Sequence, residues 1–289
     1  MSNNVIATVF YPNAKSFIKE FLDSVEKQSC NNFTLVIFNN GLKNSRELLK
    51  ESKIEYIIKD IKMSPSYARE ALIKYVVYKK YENIIFADCD DIMPINRVKH
   101  TLSKLDYCNI VVNDLTLFNH NKILSKKHFS HRFTNKQKIT LDMIYHQNMM
   151  GLSNTAAKVT VLNLNLKPTN EDLRVYDWYL WSKILLNNHT ATFFNDVTIK
   201  YRIHDNNVSS LNSKITKKEA LNGITIKKEH YKELKNDNKI FDNLYNNFKQ
   251  IYNNFKSPEW SQLYLNHINS KKIFFPFWWE KIMLPNKML

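Results

Sequence analysis

The chain has 289 residues, is 44% hydrophobic and 24% charged, and carries a formal net charge of +15. That length suits one large domain or two small ones with a sizeable core, and the 3 glycines, Gly41, Gly151 and Gly223, exclude a Walker loop and a G-x-G-x-x-G dinucleotide fingerprint. The positive balance fits nucleic acid, an anionic membrane face or a phosphate-rich substrate, and without zinc-finger spacing or an RNP-like aromatic pattern, nucleic acid is not the expected partner.

Residues 5–11 form an apolar, β-rich run that Pro12-Asn13 ends, a first strand. Phe17, Ile18, Phe21, Leu22 and Val25 recur at helical spacing and predict an amphipathic helix to about Lys27. A second strand over 33–38 closes at the turn signal Asn39-Asn40-Gly41. A short helix over 45–50, a strand over 54–58 and a helix over 66–80 follow. Residues 84–87 then read as a buried strand, β-branched and aromatic without charge. Strand and helix thus alternate four times in about a hundred residues, which predicts an α/β layered fold with a mainly parallel sheet. Ligands of such sheets sit outside the carboxyl ends of the strands, where Asn39 and the run Asp88-Cys89-Asp90-Asp91 both fall.

That acidic run organises the reading. On extended chain Asp88 and Asp90 point the same way and Cys89 points away. Neighbouring carboxylates repel unless a cation joins them, and hard oxygen ligands suit Mg²⁺ or Mn²⁺. The alternative is a solvated acidic turn leading into the helix expected near Asn96. Further on, 110–112 reads as a strand and 119–138 as an exposed basic loop, since the spacing of His120, His128 and His131 matches no zinc pattern. Residues 141–150 read as a helix ended by Gly151, 154–161 as a strand and 175–186 as a helix. Residues 191–194 and 197–203 read as two strands pairing around Asn195-Asp196, and 213–270 as basic helices packed on the core. Cys30, Cys89 and Cys108 give no disulfide framework and fit a reducing compartment. With no leader-like opening and no run approaching 18 apolar residues, a cytoplasmic protein is expected.

Taken together these motifs resemble the inverting GT-A glycosyltransferases, often called family two, over residues 5–209. Thr8-Val9-Phe10-Tyr11 is similar to the first strand, whose end meets the nucleotide. Ser24-Val25-Glu26-Lys27-Gln28 looks like the family's Ser-Val-x-x-Gln. Ala68-Arg69 stands where the family carries a diphosphate-side arginine. Asp88-x-Asp90-Asp91 resembles the DxD motif and its extra Asp. Asp177-Trp178-Tyr179-Leu180-Trp181 resembles the catalytic segment, and Tyr201-Arg202-x-His204 with Asn207 and Ser209 resembles the closing motif. Two departures stand out. Asn39-Asn40-Gly41 replaces Asp-Asp-Gly, which bears on the base that is read, with uracil as the default. Tyr176 replaces a Glu, leaving Asp177 as the carboxylate of its motif, with Glu171-Asp172 upstream as a lesser rival.

The resemblance implies a GT-A, Rossmann-like catalytic domain over 1–212, split into a nucleotide-sugar half (1–113) and an acceptor half (114–212), with a helical basic and aromatic extension over 213–289. It implies Asp177 as catalytic base, whose competing reading is a helix N-cap. Thr8, Phe10, Tyr11, Asn39, Arg69, Asp88 and Asp91 would contact the nucleotide-sugar donor, and Asp90 with His204 would hold Mn²⁺ or Mg²⁺. The acceptor would be a glycan or lipid-linked glycan, and no nucleic acid is expected to bind. Residues 211–289 hold 14 Lys against 7 Asp or Glu, and Phe274, Phe275, Phe277, Trp278 and Trp279 cluster in the tail over 271–289. That tail either meets an anionic membrane at its inner face, folds back on the core or forms a dimer contact. A catalytically inactive sugar-nucleotide or glycan-binding module is the alternative to an enzyme.

Overall fold

The computed structural model describes residues 2–120, 122–204, 214–271 and 277–285, and of Trp278 the backbone alone. In chain order its elements are β1 (Asn4–Phe10), α1 (Ile18–Glu26), β2 (Thr34–Asn40), β3 (Tyr56–Ile61), α2 (Pro65–Tyr78), β4 (Asn83–Phe86), α3 (Arg97–Leu105), β5 (Ile110–Asn119), β6 (Lys122–Ser125), β7 (Lys138–Ile139), β8 (Thr155–Lys158), α4 (Tyr176–Leu186), β9 (Ala191–Arg202), α5 (Lys217–Leu234), α6 (Lys239–Asn254), α7 (Pro258–Ser270) and α8 (Trp278–Lys281).

Among the described residues the strands make one sheet in the order β3-β2-β1-β4-β8-β5-β9-β7, with β6 paired to β5. β3, β2, β1 and β4 are mutually parallel. β8 enters antiparallel between β4 and β5, and β5 and β9 are parallel again. The mainly parallel α/β sheet expected from the strand–helix alternation is therefore present. Period-two alternation sorts each central strand between two apolar layers. Val5, Ala7 and Val9 face the layer of α2, α4 and the C-terminal helices. Ile6 and Phe10 face the layer of α1 and α3. The first layer runs without a break from Val9 through Phe86 and Trp181 to Phe248 and Ile268.

Four local expectations are corrected. β3 begins two residues later than read and is half exposed, as suits an edge strand. Residues 119–138 are not simply an exposed loop: they contain β6 and a tight turn at His128–His131. His128 is fully buried there, and burial pushes its pKa down to about 3, so the ring is neutral. Residues 141–150 form only a single turn, Leu141–Ile144. The carbonyls a longer helix would need are taken from elsewhere: Ile144 O accepts from the Trp178 indole, Tyr145 O from the Tyr231 hydroxyl and His146 O from Lys227. Finally, 191–202 is one strand, not a hairpin. It stays parallel to β5 along its length, and the register jumps from Asn113↔Phe194 to Asp114↔Thr198. Asn195 and Asp196 thus form a bulge where a turn was read, and the Asn195 amide donates to Ser130 Oγ.

The helices over 217–270 are present, each with a start signal. Thr216 and Glu219 form a reciprocal capping box on α5, Asn238 caps α6, and Ser257 with Pro258 opens α7. Lys227 of α5 is buried, and its Nζ donates to the carbonyls of His146 and Trp279 at 2.7 and 2.8 Å. Burial pushes its pKa down to about 7. Because the folded value lies below the unfolded one, the unfolded chain holds this proton more tightly. The group therefore costs stability as pH falls from the unfolded value to about 7, with no further loss below. In paired thermal melts, wild type should gain on Lys227→Met as pH rises from 7 to 10; an offset that does not change with pH would refute the assignment.

Candidate active site

β1, β2 and β4 run in the same direction, so the residues that follow them gather at one edge of the sheet. Asp88 follows β4 at that edge, its side chain about a third exposed, with Arg69 Nη2 of α2 at 4.0 Å. Asp88 and Asp177 line one cavity of about 80 Å³. Burial pushes the Asp88 carboxyl up to about 6, with Asp90 and Asp177 adding to the effect against the pull of Arg69. For Arg69, burial opposes the charge, but Tyr11, Asp88, Asp177 and Asp90 outweigh it and hold the guanidinium above its ordinary range. The same guanidinium lies 5.9 Å from the centre of the Tyr11 ring.

Asp90 Oδ2 is 3.0 Å from His204 Nε2, and the His204 ring stacks on Phe17 of the turn before α1 at 5.2 Å. Arg202 fastens this arrangement. Its Nε donates to the Asp90 carbonyl at 2.8 Å and its Nη2 to Glu20 at 2.7 Å, while its guanidinium lies between the rings of Phe17 and Phe118 at 4.5 and 4.6 Å. Among the described residues no three His, Cys, Asp or Glu side chains form a metal cage. Asp90 and His204 supply two adjacent donors, the number that a hard cation takes from protein when substrate phosphates complete its shell.

Asp177 lies in the first turn of α4, two residues inside the N-cap Val175, so it is not the cap. Asn148 Nδ2 donates to its carboxylate at 2.8 Å. Burial raises the Asp177 pKa, opposed by Arg69 and by the hydrogen bonds the carboxylate accepts. Gly151 passes close by: a Cβ there would lie 3.4 Å from Asn154 Oδ1 and 3.9 Å from Asp177 Oδ2. Tyr176 is fully buried, its hydroxyl directed at the Leu166 carbonyl, and offers no base. Glu171 and Asp172 are exposed, and the Glu171 carbonyl accepts from the hydroxyls of Ser64 and Ser66.

Three residues expected to meet the donor have their side chains engaged inside the fold. Asp91 is buried and works as a strut: one oxygen accepts from Arg202 N at 2.7 Å and the other from Ser153 Oγ. Phe10 is fully buried and packs edge-on against Phe21, so its side chain cannot reach a ligand. Asn39 is spent on its own turn, donating to Leu42 O, Ser45 Oγ and Asp60 Oδ1 and accepting from Leu42 N. The exposed carboxylate at this corner is Asp60 of β3, held at 2.6 Å by Arg46. Thr8 borders a narrow crevice with Arg69 and Asp88. Among the described residues Thr8 Oγ1 and Tyr11 OH are buried without a hydrogen-bond partner, a cost that a polar ligand would remove.

Several contributors carried no sequence signal of a place in the site. Asn148, Phe17 and Trp279 approach the acidic residues only through the fold. Arg97, fully buried beneath the acidic run, donates to Phe86 O at 2.7 Å. Burial pushes its pKa down to about 9 against the pull of Asp91 and Asp88, which leaves it charged at neutral pH. Asn207 and Ser209 of the closing motif, the 212/213 boundary, Phe274 and Phe275 lie outside the described residues, as does the Trp278 side chain.

A sheet of this order, with an acidic run after its fourth strand and helices on both faces, is a GT-A fold. Residues 6–159, more than half of the chain, match the family model described as Glycosyl transferase family 2. The chain belongs to that family and is a glycosyltransferase. Among curated proteins it is similar to dTDP-rhamnosyl transferase RfbG of Shigella flexneri, 23% identical over 238 residues, covering 77% of this chain and 80% of that one. Among solved structures it is similar in fold to S. aureus TarS 1-349 in complex with UDP (TM-score 0.62, 15% identity, 92% of this chain and 75% of that one). It is likewise similar to the mannosyltransferase PcManGT from Pyrobaculum calidifontis in complex with GDP-Man and Mn²⁺ (TM-score 0.57, 11% identity, 94% and 76%). Among the described residues no helix is long and apolar enough to cross a membrane.

Proposed function

We propose that the chain moves a sugar from a nucleotide-diphosphate donor, UDP-linked by default, to a hydroxyl of a growing glycan, with inversion at the anomeric carbon. The observation that carries this reading is the meeting of Asp88 and Asp177 in one cavity at the carboxyl edge of the sheet. One-step displacement needs a base for the incoming hydroxyl and stabilisation for the departing diphosphate. Asp177 takes the acceptor proton as the new C–O bond forms, and its raised pKa suits that task. The old bond to the phosphate oxygen breaks with its electron pair, and Arg69 faces the charge that develops. Asp90 and His204 are the residues that would hold Mn²⁺ or Mg²⁺, which when bound neutralises diphosphate charge. Asp88, Thr8 and Tyr11 border the donor side. Residues 1–212 would form the catalytic domain and 213–289 an extension whose net charge supports work on lipid-linked acceptors at the inner face of an anionic membrane. In that reading Phe277 and Ile282 would not contribute to a lipid contact, because both are buried.

A bound ligand stabilises the native state by mass action, so a panel of nucleoside diphosphates with Mn²⁺ should raise the melting temperature for one base above the rest. Hydrolysis of the matching nucleotide-sugar in water should accompany the shift. A shift with no turnover of any donor would support the binding-module alternative, and no shift with any base would remove the proposal.

A further inference from the structure

The segment carrying α8 lies outside residues 6–159 that match the family model, yet it reaches the candidate active site. Trp279 borders the cavity of Asp88 and Asp177. It also borders a second, larger cleft of about 460 Å³ together with His146, Gln147, Lys227, Glu280 and Met283. Trp279 lines both spaces. The segment is held by three separate ties. Lys227 Nζ donates to the Trp279 carbonyl. Arg132 pairs with Glu280 at 3.0 Å. Phe277 is buried among His128, Phe129 and Tyr201 and stacks on Trp279 at 4.4 Å.

We infer that this cleft is an acceptor subsite that takes a neutral sugar ring of the glycan, stacked on Trp279, next to the ring whose hydroxyl meets Asp177. The inference rests on the glycosyl-transfer reading and extends it to a substrate class. The cleft falls within the roughly 300–1,000 Å³ of small-molecule sites. Its charged lining groups are already engaged: the Lys227 ammonium with two carbonyls, the Glu280 carboxylate with Arg132. What remains is an aromatic wall, an apolar edge at Met283 and Leu284, the His146 side chain and the Gln147 amide, whose Nε2 already donates to Met143 O, a lining for hydroxyls and C–H faces, not for a phosphate. A wall pinned at three points is pre-organised, so little binding energy is lost in ordering it.

The test uses the full chain with the nucleotide-sugar that it hydrolyses, among those carrying the base chosen by the diphosphate panel, and a panel of p-nitrophenyl glycosides as acceptors. Wild type should glycosylate at least one of them. Trp279→Ala should raise its KM about tenfold or more, Trp279→Phe should recover most of the loss, and the nucleotide-induced thermal shift should stay the same. His146→Ala keeps the backbone carbonyl that Lys227 needs and should also raise KM, which preserves the test if Trp279→Ala fails to fold. An unchanged glycoside KM in Trp279→Ala or, if that variant fails to fold, in His146→Ala overturns the subsite. So does a wild type that hydrolyses donor yet uses no glycoside. A wild type with neither nucleotide shift nor hydrolysis instead removes the glycosyl-transfer reading, and the subsite with it.

Discussion

Asp177→Asn should lower kcat for transfer by about 10²-fold or more, the usual scale for a positioned base. The substitution keeps the shape of the side chain, and the amide oxygen can still accept from Asn148, which donates at 2.8 Å. The first turn of α4 does not depend on the carboxylate as a cap, because the N-cap is Val175. What is lost is the carboxylate's charge, one of several that face Arg69, and its capacity to take a proton. The nucleotide-induced thermal shift should therefore match wild type. The acid limb of the wild-type pH–rate profile should lie above the ordinary carboxylate range, since burial raises this group and the base works only when ionised. A variant that loses nucleotide binding along with turnover would make Asp177 a donor-binding or structural residue instead.

Asp90→Ala should remove transfer to the limit of detection, and EDTA should do the same to wild type in a manner that added Mn²⁺ reverses. Asp90 is partly exposed and its carboxylate faces His204 at 3.0 Å, so truncation removes one contact at the rim and leaves the core untouched. Its structural work is done by its backbone, whose carbonyl accepts from Arg202, and alanine keeps that. The melting temperature without ligand should accordingly change little, while the Mn²⁺-dependent part of the nucleotide shift disappears. Full activity in chelator would sink the metal assignment.

Most of the parallel half of the fold was legible because β1, β2 and β4 are buried on both faces and α1 is amphipathic, so periodicity and burial agree there, while the half-exposed edge strand β3 was placed two residues early. Legibility fell where tertiary contacts override local pattern. Residues 141–150 have helical spacing, but Trp178, Lys227 and Tyr231 claim three successive carbonyls there. Asn195-Asp196 has turn chemistry, but β5 continues beside it and turns it into a bulge. The site shows the same division. Asp88, Asp90 and Asp177 could be singled out because residue type, spacing and resemblance coincided. Asp91 could not be separated from its neighbours, since only the fold reveals Ser153 and the Arg202 amide on its two oxygens. Asn148 and Arg97 are common residues in unremarkable contexts, and nothing local marks them, while Trp279 stood out only as part of the aromatic tail and not as a neighbour of Asp88 and Asp177.

The clamp made by Arg202 also bears on the order in which the molecule can be assembled. Its bonds to Asp91 and Glu20 close loops of 111 and 182 residues, and Arg132 reaches Glu280 across 148. The β1–β2 and β2–β3 pairs, by contrast, join neighbouring strands at much shorter range, and the β1–β4 pair is intermediate. Entropy of closure rises with loop length and must be met before the contact returns anything. A partly folded chain can therefore already contain most of the parallel sheet while the acidic loop is still unshaped. By loop closure alone the pocket would form late, and an intermediate with native-like strands would have no catalytic geometry to protect.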